Sequence, residues 1–259
     1  MHRIIELEIS SYALMTAIGI IVAVFFIYCR SEIFKMKTSE LVIYSAVAVV
    51  GMAVGSRVVF IISQIPAAIE HKSMAVLVRA LTSGGFVFYG GLFGAIFAVW
   101  MIGKVRNFDP NGLMNYYIPG FPVFHFFGRI GCLLAGCCYG IPVEWGILQP
   151  AVDSYARLPV QLFESVYNLI IVVAMMVYES RARKKGKPYS LLTLYLAMYA
   201  PFRFINEFFR DDTLRGRFGP LSTSQWISLI VIGALISYLA AKKIKSSSTS
   251  KDAVKKKKA

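Results

Sequence analysis

The sequence predicts an all-α integral membrane protein of about seven transmembrane helices with an outward-facing irregular head, its amino terminus outside and its carboxyl terminus inside. Three observations carry that expectation. Hydrophobic residues make up 57% of the chain and charged residues 16%, against the ~45–50% apolar content of an ordinary soluble domain. Apolar runs close to the ~20 residues that a bilayer crossing requires recur along the chain. Positive residues gather in every second connection between those runs, which orients them in one sense.

The first ten residues lack a positive stretch followed by a small-residue cleavage site, so no removable signal peptide is expected. The first apolar run covers about residues 12–28 and is followed by Arg30, Lys35 and Lys37. A second, about 41–62, carries Gly51, Gly55 and the internal Arg57. The polar connection 70–79 leads to a third run, about 86–102, which opens with Gly84-Gly85 and Tyr89-Gly90-Gly91 and precedes Lys104 and Arg106. A fourth region, about 114–134, contains Pro119 and Pro122 and is expected to be a broken or half-inserted helix. Beyond a more polar excursion, 138–159, lie a fifth run at about 160–178 and the dense basic loop 181–187. A sixth run at about 191–204, the charged loop 207–217 and a seventh run at about 226–241 complete the set.

The basic connections after runs one, three, five and seven share a side, and the positive-inside rule makes that side cytoplasmic. The other connections face outward and carry most of the unusual residues, so the active side is expected in the outer half of the membrane. The formal charge of +14 is concentrated in lysines at 242–259 and in the basic loops. Residues 1–241 read as one polytopic domain, and 242–259 as a disordered cytoplasmic tail lying against anionic headgroups. No aromatic-interleaved basic groove accompanies the lysines, which argues against a nucleic-acid partner.

The stretch of greatest chemical interest is HFFGRIGCLLAGCCYG, residues 125–140. A bare cation at membrane depth costs at least ~3 kcal/mol, so Arg129 needs a partner or a polar cavity. Further candidates share the outer half: Tyr12, Arg57, Tyr89 with Gly90 and Gly91, Gln161 and Glu164 opening the fifth run, and Arg203 with Glu207 ending the sixth. Glycines also serve ordinary helix packing. Several cations converging within apolar helices gain nothing from one another, whereas an anionic lipid phosphate would satisfy them.

These residues fall in a recognisable order. SYALMTAIGI, GSRVVF, GGFVFYGGLFGA, GRIGCLLAGCCYG, LPVQLFE, YAPFRFINEFFRDD and LSTSQWISL occur from the first run to the last. In that order they resemble bacterial prolipoprotein diacylglyceryl transferase. The resemblance implies transfer of the diacylglyceryl group of phosphatidylglycerol to the thiol of a lipoprotein-precursor cysteine at the outer face of the inner membrane, with release of glycerol phosphate. It implies that Arg129 and Arg203 hold the phosphate, that Tyr12, Tyr199 and Glu207 line or support the cavity, and that Gly140 closes the signature stretch. No cofactor is implied.

The chain also departs from the family pattern. Tyr89 stands where the family usually has a histidine, and tyrosine, with a usual pKa near 10, is a poor base at neutral pH. Cys132 and Cys137 replace an asparagine and a glutamate, Asn115 stands where aspartate is common, and Leu158 replaces a histidine. The donor side therefore reads as kept and the acceptor side as rewritten. A paralogue with a different acceptor and a phospholipid-binding protein without chemistry are the competing readings; a transporter would need two related halves, which the sequence lacks. Cys132, Cys137 and Cys138 are candidates for a disulfide, a nucleophile or simple packing. A metal site is not expected, because the spacing shows no second Cys or His pair. His125 is a packing residue or a substitute base; His2 and His71 read as solvated.

Overall fold

The computed structural model describes residues 11–70, 74–75, 78, 87–149, 152–211 and 217–256. The expectations for residues 1–10, His71 and Gly84-Gly85 lie outside these. In chain order the helices are α1 (Ser11–Tyr28), α2 (Ser31–Phe34), α3 (Thr38–Ser63), α4 (Ile65–Glu70), α5 (Phe88–Val105), α6 (Pro110–Tyr117) and α7 (Gly120–Leu134). A small ladder, β1 (Pro142–Leu148) with β2 (Ala156–Arg157), precedes α8 (Val160–Lys184) and α9 (Leu191–Asn206). A single 3-10 turn, the ladder β3 (Arg217–Phe218) with β4 (Leu221–Ser222), and α10 (Thr223–Lys256) follow.

Among the described residues five helices are long and apolar enough to cross a bilayer: α1, α3, α5, α8 and α10 over Thr223–Ile244. The fourth and sixth runs form shorter helices of 15 and 16 residues, α7 and α9. At 1.5 Å per residue these reach only about 23–24 Å of a ~30 Å hydrocarbon core. Pro119 separates α6 from α7, as its missing N–H and its ring require, and Pro201 lies inside α9.

Local signals set several boundaries. Asp109 caps α6, accepting from the Asn111 and Gly112 amides at 3.2 and 2.8 Å, with Pro110 in the first turn. Ser222 and Gln225 form a reciprocal capping box, Gln225 N donating to Ser222 Oγ at 3.2 Å and Ser222 N to Gln225 Oε1 at 2.9 Å. That box starts α10 three residues before the apolar run at Trp226. Helix α8 continues beyond 178 through the basic residues Arg181, Arg183 and Lys184, good helix formers that favour a helix carboxyl end, and stops before Gly186 at φ +58°.

Two close pairings build the bundle. A Cβ on Gly94 would lie 2.2 Å from the Gly51 carbonyl oxygen and one on Gly55 2.3 Å from that of Gly90, so the backbones of α3 and α5 touch. Helices α1 and α7 run antiparallel, Gly131 against Tyr12 and Met15 at one end and Gly120 against Ile27 at the other. At that second end buried Arg30 donates to Glu179 Oε2 at 2.7 Å and to the Asn115 carbonyl at 3.0 Å, tying α1 to α8 and α6. The opposite end, expected to be irregular, carries an ordered two-stranded ladder. The run PVEWGIL has strand character, pairs with Ala156–Arg157, and Gly140 bridges to Arg210. Arg157 locks this head, donating to the Gly140 carbonyl at 3.0 Å and Asp211 at 2.7 Å, pairing with Asp153, and lying 4.5 Å over the Tyr139 ring. Its guanidinium holds the Asp153 carboxyl below the usual carboxylate range.

Candidate active site

Three helices each turn one polar stripe inward. His125, Arg129 and Cys132 share a face of α7; Gln161, Glu164, Ser165 and Asn168 share one of α8; Tyr195, Tyr199, Arg203 and Asn206 share one of α9, all at the three- and four-residue spacings of one helix face. All of these side chains are buried. A carboxylate amid apolar residues draws every available donor, and Glu164 is the hub. It accepts from Arg129 Nη2 at 3.1 Å and from the Tyr199 hydroxyl at 2.8 Å, and its Oε2 forms an ion pair with Arg129 Nε at 3.0 Å. Arg203 Nη1 stands 3.6 Å from its Oε2, and Asn206 Nδ2 donates to that same oxygen at 3.5 Å.

The arginines therefore flank one carboxylate oxygen from two different helices. Arg203 Nη2 also pairs with Glu207 at 2.6 Å and donates to Ser224 Oγ at 3.2 Å, which leaves its buried Nη1 with no hydrogen bond. His125 Nε2 accepts from Arg129 Nε at 3.1 Å, and its ring stacks on Phe88 at 3.8 Å. Tyr89 touches the same network at second hand. Ser228 donates its only hydroxyl proton to the Ser224 carbonyl at 2.8 Å, so Tyr89, 2.7 Å from Ser228 Oγ, is the donor there and keeps its proton.

Beside this cluster opens a cavity of about 470 Å³, within the range of sites that enclose small-molecule groups. Tyr12, Tyr89, His125, Arg129, Arg203 and Ser224 supply its polar wall. Met52, Phe60, Phe121 and Phe124 supply much of the rest. A smaller apolar cavity of about 80 Å³ shares Ile20, Val49, Met52, Phe121 and Phe124 with it.

A family model described as prolipoprotein diacylglyceryl transferase matches residues 1–241, the whole of this helical assembly up to the end of the apolar part of α10. The chain belongs to that family. It is 32% identical over 244 residues to the phosphatidylglycerol–prolipoprotein diacylglyceryl transferase of Clostridium tetani, covering 91% of this chain and 95% of the relative. It is likewise 32% identical to the enzyme named phosphatidylglycerol–prolipoprotein diacylglyceryl transferase 2 of Clostridium perfringens, over 91% and 92%. The Methylobacillus flagellatus transferase shares 34% identity over 59% of each chain.

Within this family member the candidate residues divide into two sets. Arg129, Arg203, Tyr89, Tyr12 and Gly91 line the cavity; Tyr199 and Glu207 brace the arginines from behind. Arg57 lies outside the lining, its guanidinium 5.8 Å from the Phe60 ring, because it sits about 100° round α3 from the lining residue Ser56. Gly90 faces α3 for the same reason, where a Cβ would meet the Gly55 carbonyl at 2.5 Å. Gly140 is a close-approach residue of the head, a Cβ there meeting the Leu158 carbonyl at 2.5 Å. Gln161 holds the turn after α7, donating to the Cys137 carbonyl at 2.8 Å. Cys132 and Cys138 line the cavity and Cys137 adjoins them; none of the three is in a disulfide. Glu164, expected only as a polar residue opening the fifth run, proves to be the shared partner of both arginines. Ser224, which lines the cavity and accepts from Arg203, was not among the expected site residues.

Proposed function

We propose that the protein transfers the diacylglyceryl group of phosphatidylglycerol to the cysteine thiol of a lipoprotein precursor at the outer face of the bacterial cytoplasmic membrane, releasing glycerol phosphate. It is a multi-pass membrane transferase. One observation carries the assignment of roles: Arg129 and Arg203, from separate helices, converge on one point beside the cavity, and Arg203 Nη1 has an unspent donor. A phosphodiester entering there takes that donor and shares the two guanidiniums with Glu164. The thiol attacks the glycerol carbon, and the C–O bond to phosphate breaks as negative charge grows on the departing oxygen. Fixed cations in a water-poor site stabilise that charge without reorganising, and one such donor is typically worth 10²–10³ in rate. The small apolar cavity adjoining the site suits the start of an acyl chain.

The topology that serves this reaction has seven crossings, α6–α7 and α9 completing the five long helices. The amino terminus is outside, and the lysine tail from Lys242 lies in the cytoplasm. The joining of α1, α6 and α8 through Arg30 supports it, since that end of the bundle is the one next to the basic loops.

A second reading, a paralogue with the same donor and another acceptor, is favoured by Tyr89, which donates its proton to Ser228 where a thiol-accepting base would be expected. Incubating the purified protein with phosphatidylglycerol labelled in its headgroup, with and without a lipobox peptide, tests both. Peptide-dependent glycerol phosphate release together with a thioether-linked peptide supports the first reading. Release without peptide modification, in the presence of membrane extract, supports the second, and absence of any release refutes both.

A further inference from the structure

The turn that closes α7 does something its spacing hides. Gly136 adopts φ +64°, Gly136 N donates to the Leu133 carbonyl at 3.2 Å, and Cys137 N donates to the Cys132 carbonyl at 3.0 Å. This is a Schellman motif, which lays the residue after the glycine back over the last full turn. Cys137 is thereby returned to Cys132. Cys138 follows at φ +62°, a left-handed conformation that L side chains avoid and that persists where surrounding structure demands it. The three sulfurs all lie within 4.8 Å of one another. Tetrahedral zinc–thiolate bonds of about 2.3 Å place sulfurs about 3.8 Å apart, so closing onto an ion needs only small side-chain rotations.

We propose that Cys132, Cys137 and Cys138 form a zinc site whose fourth position opens into the cavity and binds the acceptor thiol. The proposal rests on the transfer reading above and deepens it by supplying the missing activation of that thiol. Three protein ligands with one open position is the arrangement of catalytic rather than structural zinc. Three thiolates and a divalent ion carry one net negative charge, and Arg129 Nη1, 3.9 Å from Cys132 Sγ, provides the compensating cation. Cys132 and Cys138 line the same cavity as Arg129 and Arg203, so a bound thiol and a bound phosphate face one another.

The step balances without an oxidant or reductant. Coordination to zinc releases the acceptor thiol's proton to water, since a coordinated thiol is deprotonated. The sulfur lone pair forms the S–C bond to glycerol while the C–O bond to phosphate breaks, and the electron pair leaves with glycerol phosphate. The resulting thioether is a weak ligand and departs, restoring the site.

The test uses the full-length protein, reduced and chelator-stripped in detergent, titrated with Co²⁺ as a spectroscopic stand-in. One cobalt per chain with thiolate-to-metal charge-transfer and tetrahedral ligand-field bands is expected. Cys137→Ser should raise the Co²⁺ dissociation constant at least about tenfold, the loss that disturbing even an outer partner produces. Cys29→Ser, an exposed residue beyond the far end of α1, should leave it unchanged. A lipobox cysteine peptide should shift the bands and its serine analogue should not. Stripped protein should still bind phosphatidylglycerol vesicles yet transfer nothing until Zn²⁺ is restored. Reduced protein that shows no thiolate–cobalt bands, or stripped protein that transfers at the full rate, overturns the proposal. Bands that respond to the peptide while no glycerol phosphate is released in any metal state uphold the metal site and refute the transfer reading.

Discussion

Replacing Glu164 by glutamine keeps the shape of the hub and removes its charge. Glutamine retains one carbonyl oxygen, enough for the Tyr199 hydroxyl and one Arg129 nitrogen, which now stand 2.8 and 3.1 Å from Glu164 Oε1. Its amide then points N–H groups at Arg129 Nε and Arg203 Nη1, which now lie 3.0 and 3.6 Å from Oε2. Two buried guanidiniums would lose their common counter-charge. Removing one partner of a buried ion pair costs about 3–5 kcal/mol, and at roughly 2–4 °C per kcal/mol for a chain of this size the thermal midpoint should fall by about 6–20 °C. Differential scanning fluorimetry in detergent micelles reads this directly. Added phosphatidylglycerol should restore more stability to Glu164→Gln than to the wild type, because its phosphate can stand in for the lost carboxylate. A midpoint within about 2 °C of wild type, or equal stabilisation of both proteins by the lipid, would refute the reasoning.

The remaining predictions concern the donors, the base and the packing. Arg129→Ala and Arg203→Ala should each lower glycerol phosphate release by about 10²–10³, and Arg129→Lys should recover little because an ammonium cannot replace the guanidinium fork. Tyr89→Phe removes only a hydroxyl that donates to Ser228, so release should fall by less than about tenfold; complete loss would make Tyr89 a proton-transfer group after all. Gly94→Ala drives a Cβ to 2.2 Å from the Gly51 carbonyl and should unfold the α3–α5 pair in thermal melts, whereas Gly233→Ala meets nothing within 4 Å and should raise the midpoint slightly. Asp153, whose carboxyl is held low by Arg157 and by the Tyr155 amide, steadies the head above the ordinary carboxylate range and stops doing so as pH falls through its lowered value; in Asp153→Asn, proteolysis of the head should lose that acid dependence.

Much of the membrane layout was written in the sequence, because bilayer thickness and proline act locally. Five of the expected runs form helices long and apolar enough to cross a bilayer, and Pro119 parts α6 from α7 as expected. What escaped were facts of orientation and distance. Neighbouring positions such as Ser56 and Arg57, or Gly90 and Gly91, point about 100° apart on a helix, and an apolar run with lipid on one side and protein on the other does not say which enters the cavity. Glu164 is 35 residues from Arg129, and only the packing of α7 against α8 and α9 makes it their shared partner. The cysteine cluster depends on a left-handed glycine in a helix-ending turn, which spacing rules for metal ligands do not encode. The head ladder is not legible in the sequence because the partner of its seven-residue strand is only two residues long.

The central claim, that Arg129 and Arg203 grip one lipid phosphate, is tested most directly by magnetic dipolar recoupling between the phosphorus of bound phosphatidylglycerol and ¹⁵N-labelled guanidiniums, assigned with Arg129→Lys and Arg203→Lys. Charge-assisted bonds of about 2.8 Å place phosphorus roughly 4 Å from each contacting nitrogen. The account predicts strong dephasing from both arginines, with each variant removing its own contribution. Dephasing from only one of them, or from neither, would contradict it.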